Sequence, residues 1–470
     1  MTAASTSDVL IIGGGVAGLS AAVALAESGA RVTVLERKPY VGGRAYSYPH
    51  PALDEVIDSQ HVLVGCCTNL IDLCQRSGAD QHLRWYNTIP FLHIEQGTGR
   101  VRRSDLGTSS VPAPAHAALG FLKASMLSVS DKVAVATSLL KFLRGYPAHD
   151  DEPFSAWIKR ERASQQAIRN FWEPLVVATL NDSFDRCSTK YAGQVFHEIF
   201  LKSSAGGRQA IPTQPLSVFY AAFAELAERH GATFQLRCSV DRIEQLPNGI
   251  WQATDSEGNQ HSAARLLLAT PFEQTQRLLQ TLPEDAPQRA RILPMFSHFA
   301  HAPITTVHLW YDREVTDLPQ AALLGTGIQW MFNKTRIRGG ASAESQPSYL
   351  ELVIAASFKE LHRTREDILE QAIREIALFL PRTRDSKIIK AGILKEARAT
   401  FSVLPGLDQY RPAQDAPGGN LYLAGDWTRT NWPSTMEGAA RSGRLAAGAI
   451  AGKSFMVPEL PPSGLMRLIC

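Results

Sequence analysis

The stretch Val9-Leu10-Ile11-Ile12-Gly13-Gly14-Gly15-Val16-Ala17-Gly18 decides the fold. Val9 to Ile12 predicts a short buried strand, and Ala17 to Ser28 a helix that closes at Gly29. Arg31 to Leu35 predicts a second strand ending at Glu36, which completes one βαβ half-unit. Between strand and helix the glycines fall as G-x-G-x-x-G. Gly13 permits a tight turn, Gly15 lets a pyrophosphate approach the backbone, and Gly18 lets helix and strand pack closely. Val16 and Ala17 lie where the chain enters the helix, whose N-terminal free N–H groups and positive dipole end suit phosphates. The same apolar run, Val9 to Ala26, could be mistaken for a signal peptide or a membrane span. No Lys or Arg precedes it, and its three consecutive glycines would interrupt a helix.

A carboxylate follows at the distance a dinucleotide needs. Glu36 lies 18 residues beyond Gly18, at a strand end, where it can hold the adenosine ribose hydroxyls. It would repel a 2′-phosphate and so argues against NADP, although Arg37 beside it points the other way. Gly42-Gly43-Arg44 comes next. Paired glycines can pass close to a pyrophosphate, with Arg44 neutralising it. At this spacing after Glu36, Gly43 and Arg44 point to FAD rather than NAD. The chain holds no second G-x-G-x-x-G, so a separate nicotinamide domain is not expected and the reductant should come from outside.

The C-terminal part supplies a third motif, Leu421-Tyr422-Leu423-Ala424-Gly425-Asp426 followed by Pro433-Ser434-Thr435-Met436-Glu437-Gly438. An apolar strand ending in Gly425-Asp426 can offer a carboxylate to a ribityl hydroxyl. Ser434 and Glu437 have capping-box spacing, predicting a helix from about Thr435 to Ala451. Its N-terminal dipole at Thr435 and Met436 could face the flavin pyrimidine ring and favour the negative charge of reduced flavin.

With 470 residues, two or three packed units are expected. The fold class is α/β: a Rossmann-type FAD-binding domain with an inserted α+β substrate domain and a helical subdomain. The FAD-binding domain is discontinuous, with segments 1–105, 213–275 and 411–455. A mostly helical, substrate- or membrane-facing subdomain spans 106–212, a sheet-containing substrate domain 276–410, and a tail 456–470. Trp85 to Ile94 suggests a strand pair, Ser104 to Pro114 a connection, and Ser130 with Asp131 the start of a helix. The net charge of +3 is too small to suggest a nucleic acid partner. The six cysteines show neither a paired framework nor a two-plus-two metal spacing, so free thiols in a reducing cytoplasm and no metal are expected. No other stretch reaches about 18 uncharged apolar residues, so no transmembrane helix is expected.

These motifs resemble the FAD-dependent desaturase and amine-oxidase superfamily, in which GxGxxG, Glu and GGR open the chain while GD and EGA close it. The resemblance places Val240 against adenine and Leu266 to Pro271 as the strand before the substrate domain. Within the superfamily the chain is most similar to the squalene-associated members, the hydroxysqualene dehydroxylases of hopanoid biosynthesis. The stretches concerned are Asp58-Ser59-Gln60-His61-Val62-Leu63-Val64-Gly65, Phe171-Trp172-Glu173-Pro174-Leu175, Ala178-Thr179-Leu180-Asn181 and Gly425-Asp426-Trp427-Thr428. The likeness runs from about residue 8 to about residue 450. Phytoene-type desaturases share parts of these stretches.

That resemblance implies a net reduction, in which a C30 allylic alcohol loses its hydroxyl and gains a hydride from reduced FAD to give squalene. The site must then exclude water and supply one acid. His61 and Asp58 are the candidates, because their segment lies by the isoalloxazine in the superfamily; a packed histidine and a turn residue are the plainer readings. The motifs leave the redox direction open. A carotenoid-type desaturase, a flavin amine oxidase and, outside enzymes, a prenyl-binding escort protein of the same fold remain alternatives. The expected partners are a lipophilic isoprenoid, an external reductant and, transiently, a membrane surface, with the protein in the cytoplasm or peripheral at the inner face of the membrane. Leu119, Phe121, Leu122, Met126 and Leu127, near Lys123, Lys132 and Lys141, could face lipid or a domain core. Phe171 and Trp172 could line a tunnel or fill a core.

Overall fold

The computed structural model describes residues 7–95, 97–109, 111–339 and 347–470. Its first sheet gathers strands from far-separated parts of the chain. In spatial order these are Thr233–Leu236, Val32–Glu36, Ser7–Ile12, Gln260–Leu268, Trp251–Asp255 and Val240–Gln245, with Leu421–Leu423 also paired to Gln260–Leu268. Val32–Glu36, Ser7–Ile12, Gln260–Leu268 and Leu421–Leu423 run parallel. Their apolar sequences suit strands covered on both faces. Helix Val16–Glu27 is buried from Val16 to Ala26, so its apolar run is explained by helices on its other side and not by lipid. Helices Leu216–Arg229 and Met436–Ala451 pack against it. At the crossing with the latter, a Cβ on Gly443 would fall 2.2 Å from the Ala17 carbonyl oxygen.

The second sheet runs in the order Ile388–Phe401, His301–Tyr311, Ser348–Ala355, Trp330–Asn333, Gln320–Leu323, Thr88–Ile94 and Val101–Gly107. Its last two strands correct the expected domain boundary at residue 105. Thr88–Ile94 pairs in parallel with Gln320–Leu323 and antiparallel with Val101–Gly107, so these two strands belong to this sheet and not to the first. Two further expectations change with it. Leu83–Tyr86 joins a different sheet, pairing with Gln209–Pro212 instead of the strand that follows it. The stretch from Ser104 begins as strand before it becomes a connection.

Short helices occupy most of 115–205, with π-helical turns at Ile168–Trp172 and Phe196–Leu201. Phe154, Trp157, Trp172 and Phe196 form their core, with successive ring centroids 5.2, 5.5 and 4.9 Å apart. Phe171 and Trp172 therefore serve packing. The helix Val129–Leu139 is capped by Ser128, not Ser130: the Ser128 hydroxyl accepts from the Asp131 N–H, and the Asp131 carboxylate accepts in return from the Ser128 N–H. The apolar stretch before it divides. Met126 and Leu127 are buried and Phe121 packs edge-on against Phe171, while Leu119 and Leu122 are exposed. Among the described residues no helix is long and apolar enough to cross a membrane.

Candidate active site and cofactor cradle

A cavity of about 560 Å³ runs between the first sheet, the second sheet and the helices. One wall is made where the two glycine motifs meet. The Gly42 N–H donates to the Gly14 carbonyl at 2.9 Å, and a Cβ on Gly43 would come within 2.9 Å of the Gly15 Cα. A Cβ on Gly15 would meet only Gly43, at 3.6 Å, so the space in front of Gly15 is open toward the cavity. Gly13 takes φ +111°, which permits its turn. Gly18 stays out of the lining; a Cβ there would strike the Gly13 carbonyl oxygen at 2.0 Å, so its role is the close packing of helix on strand.

Val16, Ala17, Glu36, Arg37 and Val240 line the same end. The Glu36 carboxylate is fixed by two backbone donors, Gly14 N–H at 2.7 Å and Lys38 N–H at 2.8 Å. A carboxylate has about four lone-pair positions, so acceptor capacity is left for ribose hydroxyls. Lys38 was not singled out from sequence; its ammonium donates to the Gly43 carbonyl at 2.9 Å and lies over the Tyr46 ring, bracing the turn.

The C-terminal motif closes onto this wall. Arg44 donates to Asp426 at 2.5 Å, and Asp426 also accepts from Ser434 at 2.5 Å. Ser434 is thus not the cap of the following helix. Thr435 takes that place, accepting from the Gly438 N–H at 3.0 Å. The expected capping-box partner, Glu437, instead accepts from the Asn69 side chain and the Leu70 N–H, tying this helix to Thr68–Ser77. Met436 lines the cavity and its sulfur accepts from the Tyr220 hydroxyl at 2.8 Å. The fully buried Arg411 holds the loop between, donating to the carbonyls of Asp426, Thr428 and Trp432 at 2.9, 2.7 and 2.8 Å. A glycine-lined opening at a helix N-terminus, a fixed carboxylate at one end and a second carboxylate at the other fit an extended dinucleotide.

The cavity as a whole is apolar for most of its surface, with Leu175, Ile199, Phe200, Trp330, Phe332 and Val353 in its wall beside the polar Gln194, Glu198 and Gln209. His61 lines it too. The His61 Nδ1 lies 2.7 Å from the Ser59 carbonyl, which makes Nδ1 the protonated nitrogen. Among the described residues Nε2 has no hydrogen-bond partner, so proton exchange falls to it. Burial pushes the imidazole below its ordinary range, against the opposing pull of the Ser59 carbonyl and Asp58.

Asp58 is placed differently from expectation. It does not line the cavity, and its carboxylate accepts from Lys334 at 2.8 Å and from Ser47 at 3.0 Å. Burial works against ionisation, but the Lys334 ammonium outweighs it and holds the carboxyl below its ordinary range. An ionised, ion-paired carboxylate outside the cavity cannot serve as the acid. Lys334 also donates to the Gln60 side chain at 2.8 Å and lies 3.3 Å from Glu351. Glu351 accepts from the Gln60 N–H at 2.6 Å; burial, opposed by Lys334, pushes it up to about 7. This buried cluster anchors the backbone that carries His61. Nothing in the sequence spacing announced it, since Lys334 and Glu351 lie 274 and 291 residues from Gln60.

Fold and site together define a flavin-dependent oxidoreductase. Residues 16–451 match the family of flavin containing amine oxidoreductases, and the chain belongs to that family. The expected FAD cofactor follows from that membership. A zeta-carotene desaturase of Synechocystis sp. is 24% identical over 476 residues, covering 94% of this chain and 96% of its own. A 15-cis-phytoene desaturase of Solanum lycopersicum is 25% identical over 459 residues, covering 94% and 77%. Among solved structures, an oxidoreductase from Methanosarcina mazei superposes with TM-score 0.72 at 17% identity, covering 95% of this chain and all of its own. Cyclohexylamine oxidase from Brevibacterium oxydans superposes with TM-score 0.65 at 19% identity, covering 95% and 99%.

Proposed function

We propose that the substrate is a long isoprenoid and that the reaction is reductive dehydroxylation of hydroxysqualene to squalene. The observation that carries this reading is the cavity itself: it is apolar for most of its surface and carries the His61 imidazole in its wall beside the cradle. Such a space removes water from the reacting carbon and fits a hydrocarbon chain better than a charged amine. The substrate's C–O bond breaks, its electron pair leaves with the oxygen as water, and the allylic carbon gains a hydride. Reduced FAD, when bound, supplies that hydride, and an external two-electron donor restores it. His61 Nε2 takes up a proton from solvent before the substrate seals the cavity, and the resulting imidazolium gives that proton to the departing hydroxyl. An imidazolium destabilised by burial gives up its proton readily, which suits that role. The Lys334, Asp58 and Glu351 cluster holds Gln60, and with it the ring of His61, at the cavity wall.

A second reading is favoured by the carotenoid desaturases among the relatives. In it the substrate loses hydride to oxidised FAD, and His61 accepts a proton. Product analysis separates the two readings. Anaerobic incubation of holoenzyme with hydroxysqualene and a chemical reductant should give squalene, while phytoene with oxidised enzyme should return unchanged. A desaturated polyene without squalene would reverse the assignment.

A further inference from the structure

We propose that Cys238, Asp255 and His261 form a binding site for one divalent ion of the zinc class. The three come from separate stretches of the first sheet. Cys238 lies in the turn before Val240–Gln245, Asp255 ends Trp251–Asp255, and His261 stands at the start of Gln260–Leu268. Their ligand atoms all fall within 4.8 Å of one another. The Cys238 Sγ is 3.5 Å from Asp255 Oδ2 and 3.7 Å from His261 Nε2, and those two atoms are 3.1 Å apart. Bond lengths of about 2.3 Å to sulfur and about 2.0–2.2 Å to nitrogen or oxygen, at tetrahedral angles, separate ligand atoms by about 3.3–3.6 Å. The triangle is therefore one face of a tetrahedron to within a few tenths of an ångström, and a small movement admits the ion.

An Asp–His pair alone would explain the 3.1 Å contact but not a thiol within reach of both partners. One S–H can be given to one acceptor only. With a dication between them the thiol loses its proton to solvent, the imidazole keeps its proton on Nδ1, and all three atoms point at one charge. The outer shell is already built. Asp255 Oδ1 accepts from the N–H groups of Glu257 and Asn259 at 3.0 and 2.9 Å, and the Asn259 side chain donates to Oδ2 at 3.1 Å. Such contacts orient a ligating carboxylate. Thiolate, imidazole and carboxylate together select zinc-like ions over magnesium or calcium, and the three-ligand set leaves a fourth position for water. The Cys238 N–H donates to the Glu36 carbonyl at 2.9 Å and Cys238 lines the cavity, so a bound ion would brace the turn behind the ribose carboxylate.

The test uses holoenzyme stripped with a chelator and titrated with Co²⁺, whose ligand-field bands lie at longer wavelength than flavin absorption. One equivalent per chain, with intense tetrahedral bands and a thiolate charge-transfer band, is the expected result. Cys238→Ser should abolish the charge-transfer band and His261→Ala should weaken binding more than tenfold. Asn259→Ala, which leaves the ligands in place, should weaken binding by about tenfold or more. No saturable Co²⁺ binding, or bands unchanged in Cys238→Ser and His261→Ala proteins that retain flavin, would overturn the site.

Discussion

Arg44 and Asp426, 382 residues apart in sequence, meet at 2.5 Å in the wall of the cofactor cavity. The pair joins the motif that opens the chain to the motif that closes it, so the cradle forms only when both ends have folded together. The Asp426 side chain is almost fully buried, whereas Arg44 keeps about a third of its surface in solvent. Asp426→Ala therefore leaves a cation that water can still reach, and the fold should survive. A charge-assisted hydrogen bond is worth about 1.5–3 kcal/mol, so FAD should be held at least about tenfold more weakly. The flavin-to-protein absorbance ratio after gel filtration measures this, and an unchanged ratio would remove Asp426 from the cofactor site.

The glycines of the first motif should separate into two behaviours. Gly15→Trp points into open cavity and should give folded, colourless protein. Gly18→Ala forces a methyl to within 2.0 Å of the Gly13 carbonyl oxygen, and overpacking of this kind costs about 1–3 kcal/mol. Thermal unfolding should show the loss for Gly18→Ala and little for Gly15→Trp, with FAD retention showing the reverse emphasis.

The buried cluster behind His61 makes a stability prediction. Lys334→Met leaves Asp58 and Glu351 buried without their cation, a loss of about 3–5 kcal/mol in denaturant unfolding. The pH dependence has a definite sign. The folded-state pKa of Glu351, about 7, lies above its ordinary 4.5, so its contribution is full below 4.5 and fades as pH rises through about 7. The stability difference between wild type and Glu351→Gln should shrink over that window. A difference that grows with pH would contradict the placement of Glu351.

The two redox directions demand opposite pH profiles. Burial lowers the pKa of His61 below 6.5. Dehydroxylation needs the protonated ring, so its rate should fall as pH rises through that lowered value. Desaturation needs the neutral ring and would lose rate as pH falls through it. His61→Ala should cost about 10²–10⁴-fold in the chemical step and flatten the profile. A profile unaffected by the substitution would move the proton to another group.

The cradle was legible in sequence because its parts are local: Gly13 to Gly18, Glu36 and Gly42 to Arg44 lie within one βαβ unit and its following turn, where spacing fixes geometry. Other readings failed where tertiary contacts decide. Ser130 and Ser434 both look like helix caps, yet Ser128 and Thr435 do the capping: Ser128 reciprocates with Asp131, and the Ser434 hydroxyl is given to Asp426. Asp58 reads as an acid in the sequence, but Lys334, from a short helix 276 residues further on, pairs with its carboxylate. Strands Thr88–Ile94 and Val101–Gly107 carry no mark of which sheet they join, since their partner Gln320–Leu323 lies more than 200 residues on. Cys238, Asp255 and His261 fit no metal spacing because a turn and two neighbouring strands bring them together.

The most direct test of the substrate assignment is a single turnover followed by eye of the flavin. Holoenzyme reduced stoichiometrically under anaerobic conditions would be mixed with hydroxysqualene and its flavin spectrum recorded while squalene is quantified. The flavin should return to its oxidised spectrum with one squalene formed per flavin. Flavin that stays reduced beside unchanged hydroxysqualene, in an enzyme whose oxidised form bleaches on adding phytoene, would contradict the dehydroxylase reading and establish desaturation.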